Sequence, residues 1–267
     1  MNRLSYVSAA LLLAAPAAFG GNPVAELDCA ADTRLLDSHF ARYGYRTTRS
    51  VVRDNRGVRI WLPTATAGVG QTGLYSYFAL AGDFEVSAAY ELLDLPPPQA
   101  GYGASCGIAV DTQGAGGSVA LARGQAPKQP PGYVVTRGLP GDGGPKYETA
   151  YHPSAARAGR LVLRREKAAV VCLAADGPAA ELRELCRVPF VPDTVRQVRV
   201  FADPGGSKTA VDVRLTQVRV RAAEIAGGVP TFDPRHGTGW WWVAGGGCAT
   251  AAAVLVIHRR RRLRANN

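Results

Sequence analysis

The chain has 267 residues, 31 of them basic and 21 acidic, for a formal charge of +10. Arg3 and the five arginines beyond His258 lie in two segments without acids, so the rest of the chain holds 25 basic residues against 21 acidic, a balance of only +4. Those arginines are scattered through strand-like segments instead of gathered in a patch, which excludes nucleic acid as a partner, and about 215 residues between the two segments suffice for one well-buried core.

In chain order, Arg3 is followed by an apolar stretch centred on Leu11-Leu12-Leu13 and by small residues up to Ala18-Phe19-Gly20. That layout predicts a secretory signal peptide over residues 1–20; an uncleaved membrane helix is the alternative. A lipoprotein reading of Cys29 is disfavoured, because Glu26-Leu27-Asp28 stand where small apolar residues are needed.

Residues 21–226 read as one extracytoplasmic β-domain. The dominant hydrophobic period is two, which means strands with one buried face. Val58, Ile60 and Leu62 alternate with Arg59 and Trp61; Phe84, Val86, Ala88, Tyr90 and Leu92 alternate with Glu85, Ser87, Ala89 and Glu91. Further strands are expected at 102–111, 132–137, 160–172, 182–188, 195–202 and 211–221. In the last of these, Val211, Val213 and Leu215 give way to Val218 and Val220, a parity slip that predicts a β-bulge near Thr216-Gln217. Asp54-Asn55-Arg56-Gly57 reads as a hairpin turn. Pro96-Pro97-Pro98 ends a strand, and the Gly/Pro-rich stretches 113–117, 124–132, 138–145 and 203–206 read as loops. Many short strands with such turns mean a sandwich or barrel.

Residues 227–239 read as a tether. From Trp240 to Ile257 no charged residue occurs, and the run closes with His258 and an arginine block. About 20 apolar residues cross a bilayer core, tryptophans favour the headgroup interface, and arginines favour the cytoplasmic side. Residues 240–257 are therefore expected to be a transmembrane helix and 258–267 a basic cytoplasmic tail. The implied address is a single-pass protein of the cell membrane, with its N-terminal domain extracytoplasmic and the lipid bilayer as a partner. A C-terminal signal removed by a sorting protease shares this layout, but Gly237-Thr238-Gly239 supplies no strong sorting motif.

Four cysteines precede the anchor: Cys29, Cys106, Cys172 and Cys186. Cys172 and Cys186 flank the turn signal Ala174-Ala175-Asp176-Gly177-Pro178, so a hairpin would oppose them within disulfide reach. Two unpaired buried thiols are the alternative. No spacing suggests a metal centre or cofactor; a structural calcium could be held by Asp83 or Asp111 with backbone carbonyls.

The order of strands then resembles a known family. Gly82-Asp83-Phe84-Glu85-Val86, the arm Arg160-Leu161-Val162-Leu163-Arg164 with its return at Glu181-Leu182-Arg183-Glu184-Leu185, and the closing strands from Val195 and Val211 are similar to the concanavalin A-like lectin/glucanase jelly roll. The run from Phe78 to Arg221 is similar to a bacterial domain-of-unknown-function family with this sandwich. The resemblance implies fold more than function, since one fold hosts lectins, hydrolases, lyases and inert modules. Glucanases of this superfamily carry carboxylates at alternate positions of one strand. Here Glu91 and Asp94 are three apart and would face opposite ways, and Asp83 and Glu85 have no acidic continuation. The reading therefore leans away from an enzyme, towards non-catalytic binding of glycan or an envelope protein; a polysaccharide hydrolase or lyase with unfamiliar carboxylates is the alternative. Exposed rings that stack on sugar faces are the remaining signal. Tyr133, Tyr147 and Tyr151 are in the wider set, and Trp61, Tyr75, Tyr77 and Tyr102 are the ligand-binding candidates.

Overall fold

The computed structural model describes residues 25–28, 38–64, 70–112, 117–141, 144–190 and 194–227. The expected signal peptide, transmembrane helix and basic tail lie outside these residues. Among the described residues no helix is long and apolar enough to cross a membrane.

Among the described residues, fifteen antiparallel strands form two layers around one core. The first layer runs β10 (Lys146–Pro153), β9 (Gly132–Leu139), β8 (Ser118–Gln125), β7 (Ala104–Thr112), β14 (Val195–Asp203), β5 (Thr72–Ser76) and β2 (Phe40–Tyr43). The second runs β13 (Arg183–Pro189), β12 (Ala169–Ala175), β11 (Ala158–Glu166), β6 (Phe78–Asp94), β15 (Val211–Gly227), β4 (Gly57–Leu62) and β3 (Val51–Asp54). Strand β1 (Ala25–Asp28) also pairs with β15. A single pair, Val195 with Leu80, laces the layers together. A one-turn helix, α1 (Thr47–Ser50), precedes β3.

The period-two pattern explains the packing. Phe84, Val86, Ala88, Tyr90 and Leu92 of β6 meet Ile108 and Val110 of β7 and Val198 and Val200 of β14 in one core of buried residues. Such side chains contribute roughly 1.5–3 kcal/mol each on burial. The slip in β15 falls between Leu215 and Gln217, a register shift against β6, so Val211, Val213, Leu215, Val218 and Val220 are all buried. Asp54 pairs with Gly57 across the two-residue turn Asn55-Arg56, and its carboxylate accepts the Arg56 amide at 2.9 Å.

The structure differs from the sequence reading in four places. Residues 160–172 are not one strand. They belong to the hairpin β11–β12, turning at Lys167 in the left-handed region (φ 58); Lys-Ala carries none of the usual turn chemistry. Strands β8 and β10 occupy residues between the glycine-rich loops. Strand β15 reaches one residue into the stretch expected as a tether, because Gly227 still pairs with Phe78. The short strands β2, β3 and β5 line the far ends of the two layers.

One polar cluster sits inside the sandwich. Arg123 of β8 is almost wholly buried, at 2% exposure. Its Nε donates to the Ala156 carbonyl at 2.9 Å, and its Nη1 donates to those of Gly124 and Gly132 at 3.0 and 3.4 Å. Nearby, the Tyr133 hydroxyl donates to Asp176 at 2.7 Å, as does that of Ser154.

Candidate functional site

The outer face of the first layer is where this sandwich is least ordinary. In β14 Val198, Val200 and Ala202 point into the core, so Arg199, Phe201 and Asp203 point outward. Across the ladder Arg199 stands beside Ala109 and Phe201 beside Gly107, and these in turn stand beside Ala120 and Ala122. The floor is thus made of the smallest side chains. Phe201, Ala109 and Ala122 are only 4%, 1% and 7% exposed although they face away from the core, and half-buried Tyr43 packs against them. An outward face this well covered lies beneath the larger side chains that surround it.

Those larger groups are polar and aromatic. Arg199 grips Asp111 with two parallel bonds, Nε to Oδ2 at 2.7 Å and Nη2 to Oδ1 at 3.0 Å. Its Nη1 donates to Gln71 Oε1 at 2.6 Å, and the same oxygen accepts the Tyr43 hydroxyl at 2.7 Å. Burial works against the Arg199 charge, but the Asp111 carboxylate and the Tyr43 hydroxyl together outweigh it and hold the guanidinium above its ordinary range. Burial likewise raises the Tyr43 hydroxyl. Such a fork fixes both planes, because guanidinium and carboxylate match in geometry.

Tyr43, Tyr75 and Tyr77 form a row of rings with centroids 6.0 Å apart at each step. On the other side, Tyr147 of β10 lies over Gly138 of β9, its cross-strand partner. A Cβ at residue 138 would touch that ring at 3.4 Å, an ordinary contact, and would crowd Ser118 Oγ at 2.5 Å; the Tyr147 ring itself is 46% exposed. Tyr102 is 55% exposed, yet its hydroxyl turns inward and donates to the buried Asp203 carboxylate at 3.2 Å. Its ring lies beside Gly206. The hydroxyls of Tyr102 and Tyr147 are close enough for one to raise the other, after the larger effects of burial and of Asp203 on Tyr102. Burial raises Asp203, although the Gly205 amide and Tyr102 both donate to it.

Of the four expected ring residues, Tyr75, Tyr77 and Tyr102 share this side of the molecule. Trp61 does not: it is 45% exposed on the outer face of β4 in the second layer, opposite Asp212 of β15. Tyr133, from the wider set, is a core residue with its hydroxyl 3.1 Å from that of Tyr90. Glu91 is tied to Arg56 and Arg214 on the second layer. Asp83 accepts the Lys167 amide at 2.8 Å and lies in the second layer, whereas Asp111 lies in the first. Among the described residues no group of three or more His, Cys, Asp and Glu side chains could hold a metal ion. Cys172 stands directly opposite Cys186 between β12 and β13, both as thiols.

The sequence reading passed over Tyr43, Gln71, Arg199 and Asp203. The signal was present in β14, where Arg-x-Phe-x-Asp alternates with three aliphatic residues: a strand buried on one face that carries a cation, a ring and a carboxylate on the other.

Solved structures share this architecture. A legume lectin-like domain from Entamoeba histolytica aligns over 72% of this chain and 94% of its own, with a TM-score of 0.51 at 10% identity. A protein from work on endo-acting O-glycanases of human gut microbiota that initiate mucin breakdown aligns over 70% of this chain and 92% of its own, with a TM-score of 0.51 at 13% identity. At such identities the likeness is one of fold alone: the chain shares the concanavalin A-like β-sandwich architecture of these proteins. No curated protein matches the chain. The chain belongs to the family described as protein of unknown function (DUF1583), C domain, whose model matches residues 31–234.

Proposed function

We propose that this chain is an extracytoplasmic glycan-binding module, held at a membrane by one C-terminal helix, and that the recessed outer face of its first layer is the binding surface. The observation that carries the reading is the pair of exposed rings, Tyr102 and Tyr147, each set against a glycine beside a floor of glycine and alanine. Flat rings suit the apolar faces of sugars, and the fixed polar groups of Arg199, Asp111 and Gln71 suit their hydroxyls. Ligand sites commonly combine apolar walls with a few fixed polar groups. The membrane part rests on the sequence pattern at the two ends of the chain.

A non-catalytic role is favoured by the spacing of acids. Asp111 stands opposite Gln197, six residues along β14 from Asp203. At about 3.3 Å per residue their backbones are roughly 20 Å apart, well beyond the roughly 5–9.5 Å that paired glycosidase carboxylates span. Asp111 is moreover engaged by Arg199.

The test is a glycan array with the full-length protein in detergent. Tyr102→Ala and Tyr147→Ala should each weaken binding on the order of tenfold, about 1.4 kcal/mol, while Trp61→Ala, on the other layer, should leave it unchanged. Loss of binding with Trp61→Ala alone would move the site to the second layer. Release of reducing sugar from a bound polysaccharide would turn the module into an enzyme. Mass spectrometry of the mature termini, with protease protection of the tail, checks the topology.

A further inference from the structure

The second layer ends at β13, which among the described residues has a hydrogen-bonded neighbour on one side only, β12. An edge strand of this kind is held by one ladder, and here that ladder is interrupted. Val170 pairs with Val188 and Cys172 with Cys186; the register then slips, so that Leu173 meets Glu184 and Leu185 is the extra residue of a bulge. The Cys172–Cys186 pair is therefore the last regular rung before the break. Directly opposed residues of an antiparallel pair project to the same face, and both cysteines do so towards the core: Cys172 is fully buried and Cys186 packs against the same cluster while remaining partly exposed.

We propose that Cys172 and Cys186 form a cross-strand disulfide that staples edge strand β13 to the sheet and fixes its register at the bulge. Opposed Cα atoms in such a pair stand roughly 4.5–5.5 Å apart, inside the 4.4–6.8 Å that disulfides span. Cys186 is the accessible partner, so its thiolate attacks one sulfur of an external disulfide, such as oxidised glutathione, forming a mixed disulfide and releasing one thiol. The Cys172 thiolate then displaces the second donor sulfur. Two electrons pass from the cysteine pair to the donor, and the two thiol protons end on the two released thiols. The thiol–thiol contact supports this order: Cys172 donates towards the Cys186 sulfur, which lowers Cys186 and raises Cys172. Cys106 supplies an internal control. It is wholly buried, pushed up to about 12 by that burial, and faces Arg123 and Ala202 across its two ladders.

The proposal is independent of the glycan reading and is tested without any sugar. The purified full-length chain is equilibrated with excess oxidised glutathione, or with dithiothreitol in parallel, then acid-quenched, unfolded, alkylated and digested with trypsin. Cleavage at Lys167, Arg183 and Arg187 separates residues 168–183, which carry Cys172, from 184–187, which carry Cys186. In the oxidised sample the two peptides should be recovered as one species, about 2 Da lighter than their reduced sum, and Cys106 should be alkylated in both samples. Dithiothreitol should lower the melting temperature of the wild-type protein by several degrees and leave that of Cys172→Ser unchanged. Separate, fully alkylated peptides after oxidation, or a bond from either cysteine to Cys29 or Cys106, would overturn the proposal.

Discussion

Tyr90 of β6 and Tyr133 of β9 meet hydroxyl to hydroxyl at 3.1 Å, one from each layer of the sandwich. Tyr133 gives its own proton to Asp176 at 2.7 Å, so the proton between the two rings belongs to Tyr90. The two positions are therefore unequal. Tyr133→Phe leaves the buried Tyr90 hydroxyl without its acceptor and Asp176 with Ser154 as its remaining hydroxyl donor, and should cost about 1–3 kcal/mol. Tyr90→Phe removes a donor and leaves only a spare lone pair, so its cost should be about 1 kcal/mol or less. Urea denaturation of both variants checks the order.

Two aspartates should respond to pH with opposite sign. Burial alone would raise Asp176, but the hydroxyls of Tyr133 and Ser154 outweigh it and hold the carboxyl below its usual 3.8. A depressed folded value adds stability above the unfolded value and loses it as pH falls through the folded one. For Asp203 burial wins and the folded value lies above 3.8. Its contribution is most favourable below the unfolded value and declines as pH rises through the folded one. Relative to wild type, Asp203→Asn should gain stability as pH climbs above 3.8, whereas Asp176→Asn should lose it as pH climbs towards 3.8 from below. Melting temperatures across the acid range read both trends.

Arg123 joins three stretches of chain that are distant in sequence. Its carbonyl partners, Gly124, Gly132 and Ala156, belong to the two ends of the β8–β9 connection and to the β10–β11 loop. Arg123→Met keeps much of the volume and strands those acceptors, at a cost of about 1–3 kcal/mol. Arg123→Lys should recover only part of this, since an ammonium cannot reproduce the fork. Hydrogen exchange should speed up around residues 124–132 in both variants.

Asp111 and Arg199 are partly shielded, with side-chain exposures of 28% and 16%. Asp111→Ala removes the partner of a largely desolvated guanidinium. The loss should exceed the roughly 0–1 kcal/mol of a surface pair and fall short of the 3–5 kcal/mol of a deeply buried one. If the recessed face binds glycan, the same variant should weaken binding, because Arg199 would lose the two-bonded carboxylate that fixes its plane and keep only Gln71 of the two partners described. Calorimetry and the glycan array read the two effects separately.

Where alternation is clean, the strands could be read directly from the sequence: Ile60 and Leu62 bury on one side of β4 while Trp61 stays out, and the parity slip in β15 marks its bulge. Strands β8 and β10 were harder. Ala120, Ala122 and Gly124 carry no contrast against Val119 and Leu121, and β10 exposes nearly every side chain, so neither shows a buried period. The hairpin at Lys167 lacks glycine or asparagine. For the site, three tyrosines could be listed but not assembled. The pairing of β14 with β5 and β7 joins segments more than 80 residues apart, and only that pairing brings Gln71, Asp111 and Arg199 together.

The bulge between Leu215 and Gln217 has a bearing on how this fold can vary. Upstream of it, odd-numbered positions of β15 fill the interior; downstream, even-numbered ones do. Deleting Thr216 would close the bulge and leave Leu215 inward, Gln217 outward and Val218 inward in regular register against β6, whereas a deletion elsewhere in the strand would turn the residues beyond it to the wrong face. Away from Thr216, insertions and deletions along this strand should therefore survive only in compensating pairs, and a lone one would evict half of an arm that holds three neighbouring strands.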